Sequence, residues 1–450
     1  MTISAINRVL GLFLGAFRDL SVRVPIEDVE RLAIVVYHSM QHRRRAYHTS
    51  AHIFALTDGM NARQTLAILF HDIVYYQVDG ELPEKARPVL DAAVRIVDDR
   101  IILQPWERAD ACLTLCGTLF GFAAGDTLPI YGGLNEFLSA VVATRLLKPY
   151  VPMHDLLAIA TCIEATIPFR GPGPDGRPVF ESTADRVRRA GEILHVQLTP
   201  ADVDGIVTDA VAVANRDVGS FASEDPGRFL STMWLLIEES NAPLDLVGAY
   251  SIQEYRRALM GMERFTASRD PDLVFHAYRG TPGAVALTDL NAAARKNLAF
   301  AANYLAGKIV SMALIEALAL ETGGDCPVAM MLGDIFATAD VPEWMAGTHC
   351  AEVVQQDTDP ALLAMFEEGR PGTTTYDLAT SPLTAHLYRC EGHAGTMRAM
   401  ERARKMFAGE ETPRDFLGAL QPDLVRWVAG ACARMAPSRA DKLRALEAQY

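Results

Sequence analysis

Histidine and aspartate side chains bunch in one short stretch of this sequence. RAYHTSAHIFAL, residues 45–56, places His48 and His52 four residues apart. LAILFHDIVYY, residues 66–76, then sets His71 beside Asp72 after an apolar run of Ile68, Leu69 and Phe70. On a helix the four-residue spacing puts His48 and His52 on one face, a turn apart. A carboxylate buried in such apolar surroundings costs too much to stand unpaired. A divalent cation shared with a histidine of the neighbouring helix supplies the compensating charge. Imidazole and carboxylate together suit Mn, Fe, Co, Ni or Zn, whereas an all-oxygen Mg or Ca site does not choose two histidines. The alternative for the pair is a satisfied core histidine with a surface aspartate next to it.

Helices have to position these groups, because the hydrophobic pattern is helical almost throughout. Over residues 26–40 the apolar positions Val29, Leu32, Val35, Val36 and Met40 recur at helical spacing. Similar stripes run through 65–74, 88–97, 134–147, 156–167, 203–213 and 229–237. Alternating runs are few and no Asn-Gly hairpin turn occurs, so the spacing predicts an all-α fold. PFRGPGPDGRP, residues 168–178, ends one helix as a loop, since proline removes donors and glycine favours turns. A linker is expected at 268–284, between an N-terminal domain (1–267) and a mostly helical C-terminal domain (285–450). In the latter, 290–320 reads as a long Ala-rich helix, 323–373 is broken by Gly and Pro, and the tail is helical again.

Composition narrows the classes of function. The chain has 450 residues, half of them hydrophobic, which is enough to bury a large core. A net charge of -14 argues against a partner with a phosphate backbone, so no nucleic-acid polymer is expected. No window reads as an uninterrupted membrane span, and no membrane partner is expected. The N-terminal apolar run after Arg8 lacks a small-x-small cleavage site and is followed by Arg18, Asp19 and Arg23, which points to a cytoplasmic protein. Seven cysteines, sparse and odd in number, fit buried thiols rather than a disulfide framework.

Arg-x-Tyr-His-x-x-x-His followed by Leu-Ala-x-x-Phe-His-Asp-x-Val-Tyr resembles the metal-dependent phosphohydrolases of the HD superfamily. The resemblance is close over residues 20–77, looser to about 265, and absent beyond. It implies a helical bundle, the HD domain, holding one or two metals through a His, the His-Asp pair and a later Asp. His52 is then the first ligand, His71 and Asp72 are the namesake pair, and Asp217 in AVAVANRDVGSF closes the set. The alternative for Asp217 is a surface residue at a helix end. ATCIEATIPFR, residues 160–170, resembles the family's central helix, yet Pro168 and Phe169 stand where a further histidine is expected. That departure favours one divalent transition metal over two.

The activity implied is hydrolysis of a phosphate ester of a small metabolite or nucleotide by an activated water. Charge gathering on the phosphoryl oxygens calls for arginines, whose planar fork pairs two oxygens at once. Arg45, near the metal helix, and Arg170, just past the helix of Glu164, are the candidates for substrate binding. Arg45 otherwise belongs to a solvated helix start, Arg43-Arg44-Arg45. His48 could protonate the leaving oxygen, bind phosphate or join the ligands. Glu164, among Ile163, Ala165 and Ile167, could orient the attacking water, or simply pair with an arginine. His154-Asp155 starts a helix after Pro152, where Asp is a common first-turn residue, and is read as structural.

Two other functions fit the same scaffold: a non-catalytic nucleotide-binding regulator, and a di-iron oxygenase, which the missing histidine near Pro168 disfavours. In the C-terminal third, Asn297, Tyr304, Lys308 and Ser311 fall on one helical face, read as the solvent side of an amphipathic helix. His349-Cys350 and Cys390-x-x-His393 match no common zinc spacing. This region is expected to cover the active site, to pair copies of the chain into a homo-oligomer, or to set substrate choice.

Overall fold

The structure, a computed structural model, describes residues 3–107, 110–173, 175–333 and 355–450. It is all-α: among the described residues the only sheet is one two-stranded hairpin. The chain divides into two compact units. The first comprises Met1–Ala222 with Asp270–Ala294, and the second Ser223–Arg269 with Arg295–Tyr450.

The first unit holds α1 (Ala5–Asp19), α2 (Ile26–Ser39), α3 (Ser50–Leu56), α4 (Ala62–Phe70), the one-turn α5 (Tyr76–Asp79) and α6 (Arg87–Leu90). The hairpin β1 (Val94–Val97) and β2 (Arg100–Leu103) follows. Then come α7 (Ala111–Phe120), α8 (Leu134–Leu147), α9 (Met153–Ala165), α10 (Val179–Ile193) and α11 (Pro200–Asp217). α9 is central and packs against α4, α7, α8, α10 and α11. It is buried on all sides from Leu156 to Ala165, so its Thr161 hydroxyl has to bond back to the Leu157 carbonyl, at 2.8 Å. The N-terminal apolar run is a core helix: Val9, Phe13, Ala16 and Phe17 line one face of α1 and are buried. Phe13 meets Phe70 edge-on, with ring centroids 5.7 Å apart.

Two expectations need correction here. Residues 88–97 are not one helix, because the chain turns at Asp91 into β1, pairing Val94 with Leu103 and Val97 with Arg100. Val94 and Ile96 fit a pleated strand, and Asp98 and Asp99 both take positive φ, 49° and 59°, the demand of a tight two-residue hairpin turn. The boundary at 268–284 also differs from the division observed. Residues 270–294 belong to the first unit, and 223–269 to the second. Asn215 on α11 exchanges two hydrogen bonds with the His276 backbone, at 2.8 and 2.9 Å, and the Tyr278 hydroxyl donates to Asp204 at 2.7 Å. Side chains on α11 thus hold the 270–278 segment.

The second unit contains α12 (Pro226–Ser240), α13 (Ile252–Ala267), the part of α14 (Ala284–Thr322) from Arg295 onward, α15 (Val328–Leu332), α16 (Pro360–Glu368), α17 (Pro382–Ala408), α18 (Pro413–Leu417), α19 (Pro422–Met435) and α20 (Ala440–Glu447). α14 is long and apolar enough to cross a membrane by length and composition, contrary to the sequence reading. Of its most apolar 18 residues, 78% are buried within the structure, as in the core helix of a folded domain.

The polar stripe on α14 is buried, not solvated. Lys308 donates to Asp377 at 3.0 Å, and the other Asp377 oxygen accepts from Trp234 at 2.7 Å and Arg370 at 3.4 Å. Ser311 meets Thr384 at 2.9 Å, Tyr304 meets Ser381 at 3.1 Å, and Asn297 donates to the Ser223 carbonyl at 2.8 Å. Asp377→Ala strands two buried cations and should cost about 3–5 kcal/mol in chemical denaturation; Lys308→Met should cost far less. A small loss for Asp377→Ala would mean the charges are already balanced by other groups. His349-Cys350 lies outside the described residues. Cys390 Sγ lies 3.9 Å from His386 Nε2, and among the described residues the one group of side chains placed to hold a metal ion does not include Cys390 or His393.

Candidate metal centre

Four side chains from three stretches of chain converge in the first unit. His52 is in the opening turn of α3. α4 ends at Phe70, so His71 is its C-cap and Asp72 stands in the turn beyond it. Asp217 is the last residue of α11. His52 Nε2 lies 3.1 Å from Asp217 Oδ1 and 3.5 Å from Asp72 Oδ2. His71 Nε2 lies 2.8 Å from Asp72 Oδ2 and 3.5 Å from Asp217 Oδ1.

Local sequence explains how these ends are fixed. Asn61 and Gln64 form a capping box that starts α4, each side chain taking the other's backbone N–H at 3.0 Å. Gln64 also donates to the Asp209 carbonyl at 3.1 Å, tying α4 to α11, which carries Asp217. The turn after Asp72 hangs on α8: Ser139 Oγ accepts from the Val74 N–H at 3.2 Å and Asn135 Oδ1 from the Tyr76 N–H at 3.0 Å. Gly133 caps α8 with a φ of 104°, a backbone conformation that favours glycine.

The donor set fits a cation. His71 Nδ1 lies 2.8 Å from the Ile68 carbonyl, which can only accept, so the proton of the neutral ring sits on Nδ1. Nε2 is then a lone pair, buried and without a hydrogen bond, facing two carboxylate oxygens. That arrangement is repulsive unless a proton or a metal ion stands between them. Separations near 3 Å are those of atoms about 2.1 Å from one shared metal. His52, His71 and Asp72 each bring one donor atom within 4.8 Å of the others. In the metal-free chain the proton takes this place. Burial opposes charge on His71, but Asp72 and Asp217 hold its pKa well above the usual value. Burial would likewise raise both aspartates, and the histidines around them outweigh it and pull them below the carboxylate range.

A residue the sequence reading missed stands on α8 between the two that anchor the turn. Burial pushes the Glu136 carboxyl up to about 7; its own backbone N–H opposes the shift, and the charges of Asp72 and Asp217 add to it. The signal was available only as a lone acid inside the apolar stripe LNEFLSAVV.

Other candidates are placed differently. Arg45 is not a solvated helix start: its side chain is fully buried in the loop before α3 and grips Asp79 with Nε at 2.9 Å and a terminal nitrogen at 2.6 Å. Its terminal nitrogens also donate to the Asp72 carbonyl at 2.6 Å and the Ile73 carbonyl at 3.3 Å, which positions the His-Asp turn and leaves no fork for phosphate. His48 precedes α3 instead of sharing its face, because the helix starts only at Ser50; its ring stands edge-on to His52 at 5.6 Å and Tyr75 at 4.4 Å. Glu164 is buried and bonded to Arg170 and to Arg186, the latter at 2.6 Å, so it is an ion-pair partner and not a free base. Arg170 is held on that carboxylate, at the edge of a cleft. Asp155 stands in the first turn of α9 and pairs with Arg63 at 2.7 Å. Comparison with protein-family models, with curated proteins and with solved structures finds no match to this chain.

Proposed function

We propose that the chain is a metal-dependent phosphohydrolase acting on a small phosphate ester, nucleotides included. What carries the reading is the buried lone pair of His71 Nε2, set against Asp72 and Asp217 with His52 beside them. The likeness of the His52 and His71-Asp72 segments to the HD superfamily supports the same reaction. A divalent transition metal held by His52, His71, Asp72 and Asp217 would supply Lewis acidity and lower the pKa of a water from 15.7 to about 7. The chain's own residues do the rest. Arg45 fixes the Asp72 turn, the Ile68 carbonyl fixes the His71 tautomer, and the rings of Tyr47, His48 and Tyr75 wall the side nearest His52. Glu136 is suited to hold a proton near neutral pH and release it to a leaving oxygen.

Elemental analysis of chelator-free protein, followed by a phosphate-release screen over esters and nucleotides, tests the reading. One equivalent of Mn, Fe, Co, Ni or Zn with turnover supports it. Two irons would redirect it to oxygen chemistry, and no metal after reconstitution would leave a ligand-binding module. Glu136→Gln should remove one limb of the pH–rate profile. With a cation at the centre the carboxylate repulsion is cancelled and burial remains, so that limb belongs between 4.5 and about 7. An unchanged profile would exclude Glu136 from proton transfer.

A further inference from the structure

A cleft of roughly 620 Å³ opens beside Arg170, lined also by Arg186, Ser182, Gly171, Gly173 and Asp175. Beneath it two guanidinium groups share the single buried carboxylate of Glu164, which leaves one positive charge in excess. Arg186 spends one terminal nitrogen on Glu164 and on Thr183 Oγ1, at 3.0 Å, while its Nε is buried and makes no hydrogen bond. Asp175, exposed at the rim, is the one carboxylate of the lining and accepts from the Arg177 N–H at 3.1 Å. Burial and the Arg170 charge push the nearby His276 down to about 4, so its ring brings no charge of its own.

The cleft adjoins the chain that carries Asp217. Phe169, next to Arg170, packs on Phe221 with centroids 5.3 Å apart, and Phe221 lies in the turn Gly219–Ala222 that follows α11. We propose that this cleft binds an oxyanion of the phosphate class through the terminal nitrogen of Arg186 that Glu164 does not engage, with the Arg170 charge beside it, as a subsite for an anionic group of the substrate. The substrate role rests on the phosphohydrolase reading; the binding of phosphate in the cleft does not.

The test is calorimetric titration of inorganic phosphate into the full chain as purified and into its His71→Ala variant. Both should bind. Arg186→Gln, placed in each, should weaken binding about tenfold, the worth of one charge-assisted contact. Asp175→Asn keeps its acceptor oxygen, removes the rim charge and should tighten binding about threefold, a gain that misfolding cannot imitate. Binding that vanishes in His71→Ala yet survives Arg186→Gln would place phosphate at the His/Asp centre and overturn the cleft. Metal in the chain with no phosphate binding refutes the cleft alone. Phosphate binding with no metal refutes the phosphohydrolase alone.

Discussion

His71→Ala is expected to abolish the metal binding proposed for this centre. His71 supplies a buried nitrogen, held in a single tautomer by the Ile68 carbonyl and set 2.8 Å from Asp72, and its loss leaves two carboxylates and one histidine. Changes to residues that merely support metal ligands cost about 10–100-fold in affinity, so removing a ligand should exceed that. Elemental analysis of wild type and variant, purified side by side without chelator, reads the difference. A variant that keeps its full equivalent would disprove the centre. Protons and metal compete for the same atoms, so affinity should fall as pH falls. In the metal-free chain the signs run separately. The raised His71 pKa contributes stability that is complete below 6.5 and lost as pH rises through the folded value. The lowered Asp72 and Asp217 contribute above 3.8 and fade as pH falls through their folded values. Thermal unfolding of metal-free protein should therefore peak between those two limits and decline on the alkaline side. Metal-loaded protein should lack that alkaline decline.

Arg45→Met should be the costliest single change to the fold around the site. It leaves Asp79 buried without its guanidinium, with His42 Nδ1 3.2 Å away. Breaking a buried pair from one side costs about 3–5 kcal/mol. For a unit of this size that corresponds to a fall of about 10 °C in Tm. The Asp72 and Ile73 carbonyls lose their donor in the same step, so metal affinity should fall with stability. The double variant Arg45→Met, Asp79→Leu removes both charges. It should recover much of the stability but little of the metal, because the carbonyls remain without a donor. Recovery of both would show that Arg45 does nothing for the His-Asp turn beyond balancing charge.

The helices were legible wherever one apolar stripe faced one core. Residues 134–147 form α8 as the spacing predicts, and the loop at 168–178 separates α9 from α10. The stripe over 88–97 misled because its β-branched and apolar residues satisfy either period, and the deciding signal, two aspartates at positive φ, is weaker than Asn-Gly. His52, His71, Asp72 and Asp217 are brought together, and what the sequence disclosed was residue type and order. It could not disclose partners. Arg45 and Arg170 read as free cations until their carboxylates, Asp79 and Glu164, are located; neither spacing marks an ion pair. Lys308 and Ser311 failed for a related reason: a polar stripe looks the same whether water or Asp377 and Thr384 stand opposite.

The first unit is discontinuous in sequence, and time enters through that fact. A ribosome has delivered all four His and Asp donors once residue 217 emerges. The segment that bonds to Asn215 and Asp204 comes only after the 47 residues from 223 to 269. At about 5–20 residues per second that is a wait of about 2–10 s. During it the nascent unit carries its complete donor set but lacks its last structural piece, with the side chains of α11 that hold 270–278 still waiting for it. A chain stopped near residue 267 would stay in that unfinished condition permanently.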